Sequence, residues 1–282
     1  GNKTYTANYD LNSYTVTYNL DVSTNNPSNP DSFTVEDETI TLLDPTKTGY
    51  TFLGWYKENT YQNKVTSIIH GTYENITLYA KFTPNTNTAY KVEHYLQKLD
   101  GDYELKDYDD LTGTSDSKVT PSVNTYEGFT APAVQEVTIK ADSSLVVKYY
   151  YERNTYNLTI NKGKGIDTYT AETTYKYNEQ VTIEASLLDG YKDITYTGDY
   201  NVNSFTMPSK DVTINIDSSL INYTITYDLV GGSLIDDKTN PETYTVETET
   251  FTLNNPQKNG YTFTGYTGTD LTTKSKEVTV NK

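Results

Sequence analysis

One motif order recurs four times along this chain, and it restricts the fold to a row of small, similar domains. Each copy opens on alternating aromatic and β-branched residues, at Tyr14–Tyr18, Tyr90–His94, Tyr156–Ile160 and Tyr223–Tyr227. Each reaches a glycine–aromatic pair 34 to 38 residues later: Gly49-Tyr50, Gly128-Phe129, Gly190-Tyr191 and Gly260-Tyr261. The opening tyrosines are spaced by 76, 66 and 67 residues. Repetition in phase at that period specifies tandem modules, not one large domain.

The phasing divides the chain into 13–84, 85–153, 154–220 and 221–282, preceded by 1–12. In the first module Tyr14, Val16 and Tyr18 share a face at period two, which predicts a strand with one buried side. The Ser-, Asn- and Pro-rich stretch Asp21–Ser32 is a predicted loop. Phe33–Leu43 resumes the alternation until Asp44-Pro45 breaks it. In Gly49–Tyr56, Tyr50 and Phe52 share a face, and Gly54 permits a bulge or a close backbone approach before Trp55. Lys64–Ile69 fits either a strand or a helical turn. Ile76, Leu78 and Ala80 alternate in a closing strand, Asn75–Phe82. No segment carries a sustained 3.6-residue apolar stripe, so the expected class is mainly β.

Modules of this size barely offset their chain entropy, and no cysteine staples them. Strand pairing and aromatic packing must supply the stability. Tyrosine is the outlier, with 29 residues against 7 Phe and 1 Trp. Tyrosine suits thin sheets, where the ring is dry and the hydroxyl reaches a polar partner. A net charge of −16 argues against nucleic acid and against an anionic membrane surface. No stretch approaches the roughly 20 apolar residues of a membrane-spanning helix.

Modules one and four resemble the Listeria–Bacteroides repeat, also called the internalin B-repeat. The matching text is the Tyr-x-Val/Ile-x-Tyr opening, Gly-Tyr-Thr-Phe-x-Gly-Trp/Tyr at 49–55 and 260–266, and the closing Asn75–Phe82. Module two is similar to mucin-binding-protein repeats through Tyr90–Leu96, Tyr126–Phe129 and Val146–Tyr150. Module three resembles a divergent member of the internalin group. The resemblance implies small β-grasp-like (ubiquitin-like) modules in bacterial cell-surface proteins. It implies roles in spacing, adhesion or partner binding, with no catalytic residues to carry over. The lack of cysteine fits such surface proteins. Module two lacks the Gly-x-Gly-Trp text, and module four has Tyr266 in place of the tryptophan.

Chemistry-bearing positions are few. The acidic runs Asp100–Asp102 and Asp107–Asp110 lack the 12-residue spacing of an EF-hand loop and are expected to be solvated. His70 and His94 cannot build a zinc cage and are expected to be ordinary strand or loop residues. No Gly-x-Ser-x-Gly elbow, phosphate-binding glycine loop or cysteine nucleophile is present. No catalytic, cofactor or metal residue is therefore assigned. A Lys–Asn isopeptide bond needs both groups and a carboxylate buried together, which spacing alone does not establish. Exposed tyrosines offer a stacking surface for sugars, although most are expected to line sheet faces and seams. The Asn-x-Thr sequons at Asn2, Asn75, Asn157 and Asn222 are read as strand text.

The expected role is a stalk or spacer with weak adhesive contacts to a host or cell-surface protein or glycan. A mucin-binding module and an accessory region of a secreted hydrolase are the alternatives. Connectors such as Thr83–Thr88 and Ser218–Asn222 are short, which predicts restricted angles between modules. Gly1–Tyr9 parallels the closing strand Glu74–Phe82, while Val278–Lys282 aligns near Val65–Ile69. Module four is then expected to lack its own closing strand, leaving an open edge. Asn2–Tyr9 is expected to fill that edge in a neighbouring molecule or to pack on module one.

Overall fold

The structure, a computed structural model, describes residues 1–280; Asn281 and Lys282, at the end of the segment aligned with Val65–Ile69, lie outside the described residues. It divides into two compact units, Gly1–Glu152 and the chain from Arg153 onward. Every regular element among the described residues is a strand.

The first repeat contains β1 (Ser13–Asn19), β2 (Ser32–Thr34), β3 (Ile40–Thr41), β4 (Tyr50–Tyr56), β5 (Lys64–Val65), β6 (Ser67–Ile68) and β7 (Ile76–Pro84). Its sheet runs β2-β1-β7-β4-β5, and the two central strands, the first and last of the repeat, are parallel. Val16 sits opposite Ile76 and Tyr18 opposite Leu78. One face of this centre is covered by β3·β6, where Leu42 and Ile68 join Val16, Phe33, Trp55, Leu78 and Ala80 in one core, while Thr15, Thr17 and Thr77 on the other face are exposed. Lys64–Ile69, ambiguous in sequence, forms two short strands.

The second repeat uses β8 (Thr88–Gln97), β9 (Tyr103–Gly113), β10 (Lys118–Val119), β11 (Phe129–Thr130), β12 (Val137–Thr138) and β13 (Val146–Arg153) in the order β11-β13-β8-β9. Here too the first and last strands, β8 and β13, are parallel neighbours. In the second unit, β14 (Thr155–Lys162), β15 (Ile166–Tyr169), β16 (Thr173–Lys176), β17 (Gln180–Thr182), β18 (Ala185–Leu187), β19 (Tyr191–Gly198), β20 (Ser204–Thr206) and β21 (Val212–Leu220) form the third repeat. Its main sheet, β16-β14-β21-β19, again has a parallel centre. All three sheets thus share one plan: an early strand, the first strand, the last strand, then an upstream partner of the last.

Side chains fix the register of that centre. Asn75, just before β7, accepts the Thr15 amide through Oδ1 at 2.9 Å. Asp211 does the same for Asn157 at 2.8 Å, just before β21. The sequon asparagine Asn75 is therefore a register clamp, and Asn157 is held by one. Gly54, at φ +145°, sits at the β4 bulge opposite β7 and lets Trp55 turn into the core. There Trp55 Nε1 donates to the Leu43 carbonyl at 3.1 Å. Tyr18 donates to the Pro30 carbonyl at 2.9 Å and packs on Trp55.

The fourth repeat comprises β22 (Tyr223–Thr224), β23 (Ser233–Leu234), β24 (Thr243–Tyr244), β25 (Phe251–Thr252), β26 (Pro256–Gln257), β27 (Tyr266–Gly268), β28 (Leu271–Ser275) and β29 (Thr279–Val280). It repeats the local bonds of the first. Tyr227 donates to Pro241 at 2.7 Å as Tyr18 does to Pro30. Tyr266 donates to the Asn254 carbonyl at 2.7 Å, the counterpart of the Trp55 bond, so the aromatic exchange preserves the anchor. β25 pairs with β29 as β3 pairs with β6, which puts Thr279 and Val280 at the positions of Ser67 and Ile68, one residue from the expected register. The pairing with a closing strand is what differs: β22 pairs with β24 and β27 with β28, and among the described residues no strand pairs with both sheets. Residues 1–12 form no strand and are exposed throughout, Tyr5 at 86% and Tyr9 at 91%. The expected alternative that this segment packs on module one is therefore not what the structure contains.

Two predictions follow from the tyrosine and tryptophan anchors. Burial and the Asp31 charge push the Tyr18 phenol up to about 12. Burial first, then Asp107, holds Tyr126 at about 12, and a hydrogen bond to Glu152 does the same for Tyr103. A phenol raised in the folded state contributes stability that is fully present below its unfolded value near 10 and is lost as pH climbs toward 12. Melting followed by circular dichroism should stay level to about pH 9 and fall between about 10 and 12; Tyr18→Phe should make that fall shallower, and an unchanged slope contradicts the assignment. Trp55→Ala should cost about 3–5 kcal/mol in urea unfolding. Trp55→Tyr should cost less than half of that, because Tyr266 reaches the equivalent carbonyl.

Candidate functional site

The positions singled out for chemistry are held in structural roles. His94 lies on β8 and is fully buried, with Nδ1 2.8 Å from Tyr151 Oη and Nε2 3.3 Å from Asp109. The Asn124 amide donates to the same Tyr151 oxygen at 2.7 Å. Tyr151 therefore donates its proton to Nδ1, and the imidazole donates Nε2–H to the carboxylate, an assignment made from the network. Tyr151 is itself fully buried, and this hydrogen-bond chain ties β8, β9 and β13 together. His70 lies on a turn and donates Nδ1–H to the Asp37 carbonyl at 2.8 Å.

The acidic runs are dispersed by the strand they occupy. Asp100 and Asp102 flank the β8–β9 turn around Lys98, at 3.0 and 3.7 Å. The Lys98 bond, with the Asp102 amide, holds the Asp100 carboxyl below its usual range. On β9, Asp107 accepts the Tyr126 hydroxyl, Asp109 meets His94, and Asp110 pairs with Lys91 at 3.2 Å. Successive residues of a strand face opposite sides, so Asp110 turns away from Asp109, and each of these carboxylates is taken up by a different partner instead of converging as calcium requires. Among the described residues no group of three or more His, Asp and Glu is placed to hold a metal.

The groups that do converge belong to the seams between repeats. In the first unit Gly49, at φ +75°, presents its carbonyl to the Asn85 amide at 2.9 Å and to Ser115 Oγ at 2.7 Å. Tyr50 donates to Asp116 Oδ2 at 2.5 Å, and this bond is the main reason its phenol titrates above the ordinary value. Ser115 also bonds Thr88, and both are buried. In the second unit Gly190, at φ +85°, accepts the Ile221 amide at 2.9 Å. Tyr191 donates to Glu247 Oε1 at 2.7 Å, which raises it as Asp116 raises Tyr50. A Cβ on Gly49 would overlap Ala141 and Ser115, and one on Gly190 would overlap Val246. Only glycine lets the following repeat come this close.

The partner surface is a tight turn early in that following repeat. Ser117 N bonds Thr114 O, and Thr248 N bonds Thr245 O. The residues between them, Ser115-Asp116 and Val246-Glu247, supply the small side chain against glycine and the carboxylate for tyrosine. The first repeat has the same turn, closed by Asp37 N to Thr34 O, with Val35 half-buried and Glu36 exposed. The glycine–aromatic pairs are flagged by the repeat in sequence. Their acidic partners are not, because Asp116 and Glu247 follow their opening tyrosines at unequal distances.

The fourth repeat offers the other half of such a seam. A Cβ on Gly260, at φ +79°, would meet nothing, and Tyr261 is 72% exposed beneath Lys258. Beside it lies a cleft of about 360 Å³ lined by Asp228, Leu229, Val230 and Tyr261–Thr267. Phe263 and Tyr266, counterparts of Phe52 and Trp55, remain partly solvated along it.

Comparison with known proteins agrees with this repeat structure. Residues 14–81 and 223–281 match the Listeria–Bacteroides repeat domain. Residues 156–217 match the divergent InlB B-repeat domain. A curated protein of Evansella cellulosilytica named "Putative membrane protein" is 25% identical over 285 residues, covering 92% of this chain. The chain spans 40% of the length of that relative. Among the described residues no helix is long and apolar enough to cross a membrane.

The seam makes a prediction with an internal control. Gly49→Ala, Gly190→Ala and Gly260→Ala all impose a side chain on a left-handed residue, a strain of about 1–2 kcal/mol. The first two also overpack a seam, adding about 1–3 kcal/mol. In urea unfolding of the three variants, Gly260→Ala should be the mildest; equal losses contradict the role assigned to the seam glycines.

Proposed function

We propose that this chain, in which residues 14–81 and 223–281 match the Listeria–Bacteroides repeat and residues 156–217 the divergent InlB B-repeat, is the non-catalytic spacer region of a bacterial cell-surface protein. The segments 13–84, 85–153, 154–220 and 221–282 are its modules, the first three each built on a β-grasp-like sheet without the helix of ubiquitin. The observation that carries the reading is where the well-placed polar groups go. Tyr50–Asp116 and Tyr191–Glu247 are spent on seams between successive repeats. His94 and Tyr151 are spent inside a core. A chain that invests its positioned chemistry in holding neighbours in register is suited to presenting another domain at a distance from an extracellular surface.

A second reading rests on one feature of the second module. Tyr95 stacks on Tyr150 at 5.1 Å and Tyr103 meets the same ring edge-on at 5.0 Å. Tyr150 is half-exposed, and Lys91 sits over the exposed Tyr108 ring at 3.8 Å. Such a row of aromatic faces suits the apolar face of a sugar. Immobilised mucin and a panel of its glycans separate the two readings. The spacer reading expects no saturable binding by the full chain. Saturable binding that is lost in Tyr150→Ala overturns it in favour of an adhesin module.

A further inference from the structure

We propose that the first three repeats are built to carry tension along the chain, each taking the load as shear across its parallel ladder. This deepens the spacer reading and rests on it for the source of the load, since a spacer between a surface and a moving partner is pulled at both ends.

Strand direction decides how a sheet meets that pull. In the first repeat the chain enters β1 at Ser13 and leaves β7 at Pro84, and the two strands are parallel neighbours. Tension therefore draws β1 back toward its start and β7 forward toward its end. The ladder bonds lie across the line of pull, so the four facing pairs from Val16–Ile76 to Asn19–Tyr79 are loaded together. Antiparallel first and last strands would put entry and exit at one end of the ladder, where the bonds open one at a time. The same shear falls on the six pairs between β8 and β13 and on the five between β14 and β21. Each of these strands continues into further chain at both ends, so tension reaches the three ladders in series.

Side chains bridge the same ladders. At the start of the first, Asn75 Oδ1 accepts the Thr15 amide at 2.9 Å. In the second, the facing residues Glu93 and Lys148 pair at 3.4 Å, and Tyr95 stacks on Tyr150, which it also faces. Beneath them His94 bonds Tyr151 inside the core. In the third, Asp211 accepts the Asn157 amide at 2.8 Å, and Asn161 Nδ2 donates to the facing Asn215 Oδ1 at 2.7 Å. An exposed ion pair adds little to equilibrium stability. In shear it breaks in the same event as the backbone bonds beside it. The exit from the first repeat is tied as well. Asn85, directly after β7, donates its amide to the Gly49 carbonyl at 2.9 Å and accepts Thr51 Oγ1 at 2.7 Å, so tension leaving β7 is shared with β4.

Single-molecule pulling on the full chain tests the proposal. The chain has no cysteine, so introduced pairs place the handles. Leu11→Cys with Thr86→Cys loads the first repeat in shear. Leu11→Cys with Glu74→Cys pulls both parallel strands from their starting ends and peels the ladder pair by pair. All three sites are exposed. At equal force the first repeat should unfold about tenfold or more slowly in the shear pull than in the peeling pull, because forced unfolding reads the unfolding rate. Equal rates, or faster unfolding in shear, overturn the proposal. Asn75→Ala should speed unfolding about threefold to tenfold in shear, and less than about twofold in the peeling pull, where its bond is only the first to open. Equal acceleration in both pulls also overturns it, because a general stabiliser acts in either direction. None of these outcomes bears on mucin binding, so the spacer reading stands or falls separately.

Discussion

The parallel ladder between the first and last strands of each repeat is the interaction on which the rest depends. Val16–Asn19 with Ile76–Tyr79, Lys91–Leu96 with Val146–Tyr151 and Leu158–Lys162 with Val212–Ile216 are the same contact in three settings. Each joins residues about a whole repeat apart, so no core is complete until the far end of its segment arrives. The fourth repeat shows what the ladder supplies. Its hairpins and its tyrosine anchors are in place, and Gly265, the counterpart of Gly54, keeps a positive φ of +130°. Yet Leu253 is its one buried hydrophobic residue among those described, where the first repeat buries seven. Burying one leucine-sized side chain contributes about 1.5–3 kcal/mol, so the absent centre outweighs every local bond that remains.

Much of this was legible in the sequence because it is periodic or local. Alternation located the opening and closing strands, Gly54 marked its bulge, and the order of motifs placed Val278 near Val65, one residue from the register that the structure gives. The exchange of Trp55 for Tyr266 is tolerated for a readable reason, since both rings carry a donor to the same carbonyl. What escaped was long-range or conditional on burial. Nothing local states that the first and last strands are neighbours. His94 has no local signal for its burial between Tyr151 and Asp109. Asp116 and Glu247 look like two among many acidic residues until the turns that hold them meet a tyrosine from the preceding repeat.

The seams explain two compositional oddities together. A chain this acidic has few cations to pair with, and several of its carboxylates instead accept bonds from tyrosine hydroxyls. Tyrosine supplies apolar area and a donor in one side chain, so it serves cores and seams without adding positive charge. Glycine completes the device by letting two backbones approach at Gly49 and Gly190. The family relationship and this economy are mutually consistent: both describe units whose positioned groups act mainly on one another.

Native-state hydrogen exchange resolved by residue measures the central claim most directly. If the parallel ladder closes each repeat, amides of Val16–Asn19, Lys91–Leu96 and Leu158–Lys162 will be the slowest to exchange in their repeats, while Ile225–Asp228 will exchange orders of magnitude faster at concentrations where the chain is monomeric. Protection of Ile225–Asp228 equal to that of Val16–Asn19 in the monomer contradicts the account, because it means that the fourth repeat closes without the strand on which the other three depend.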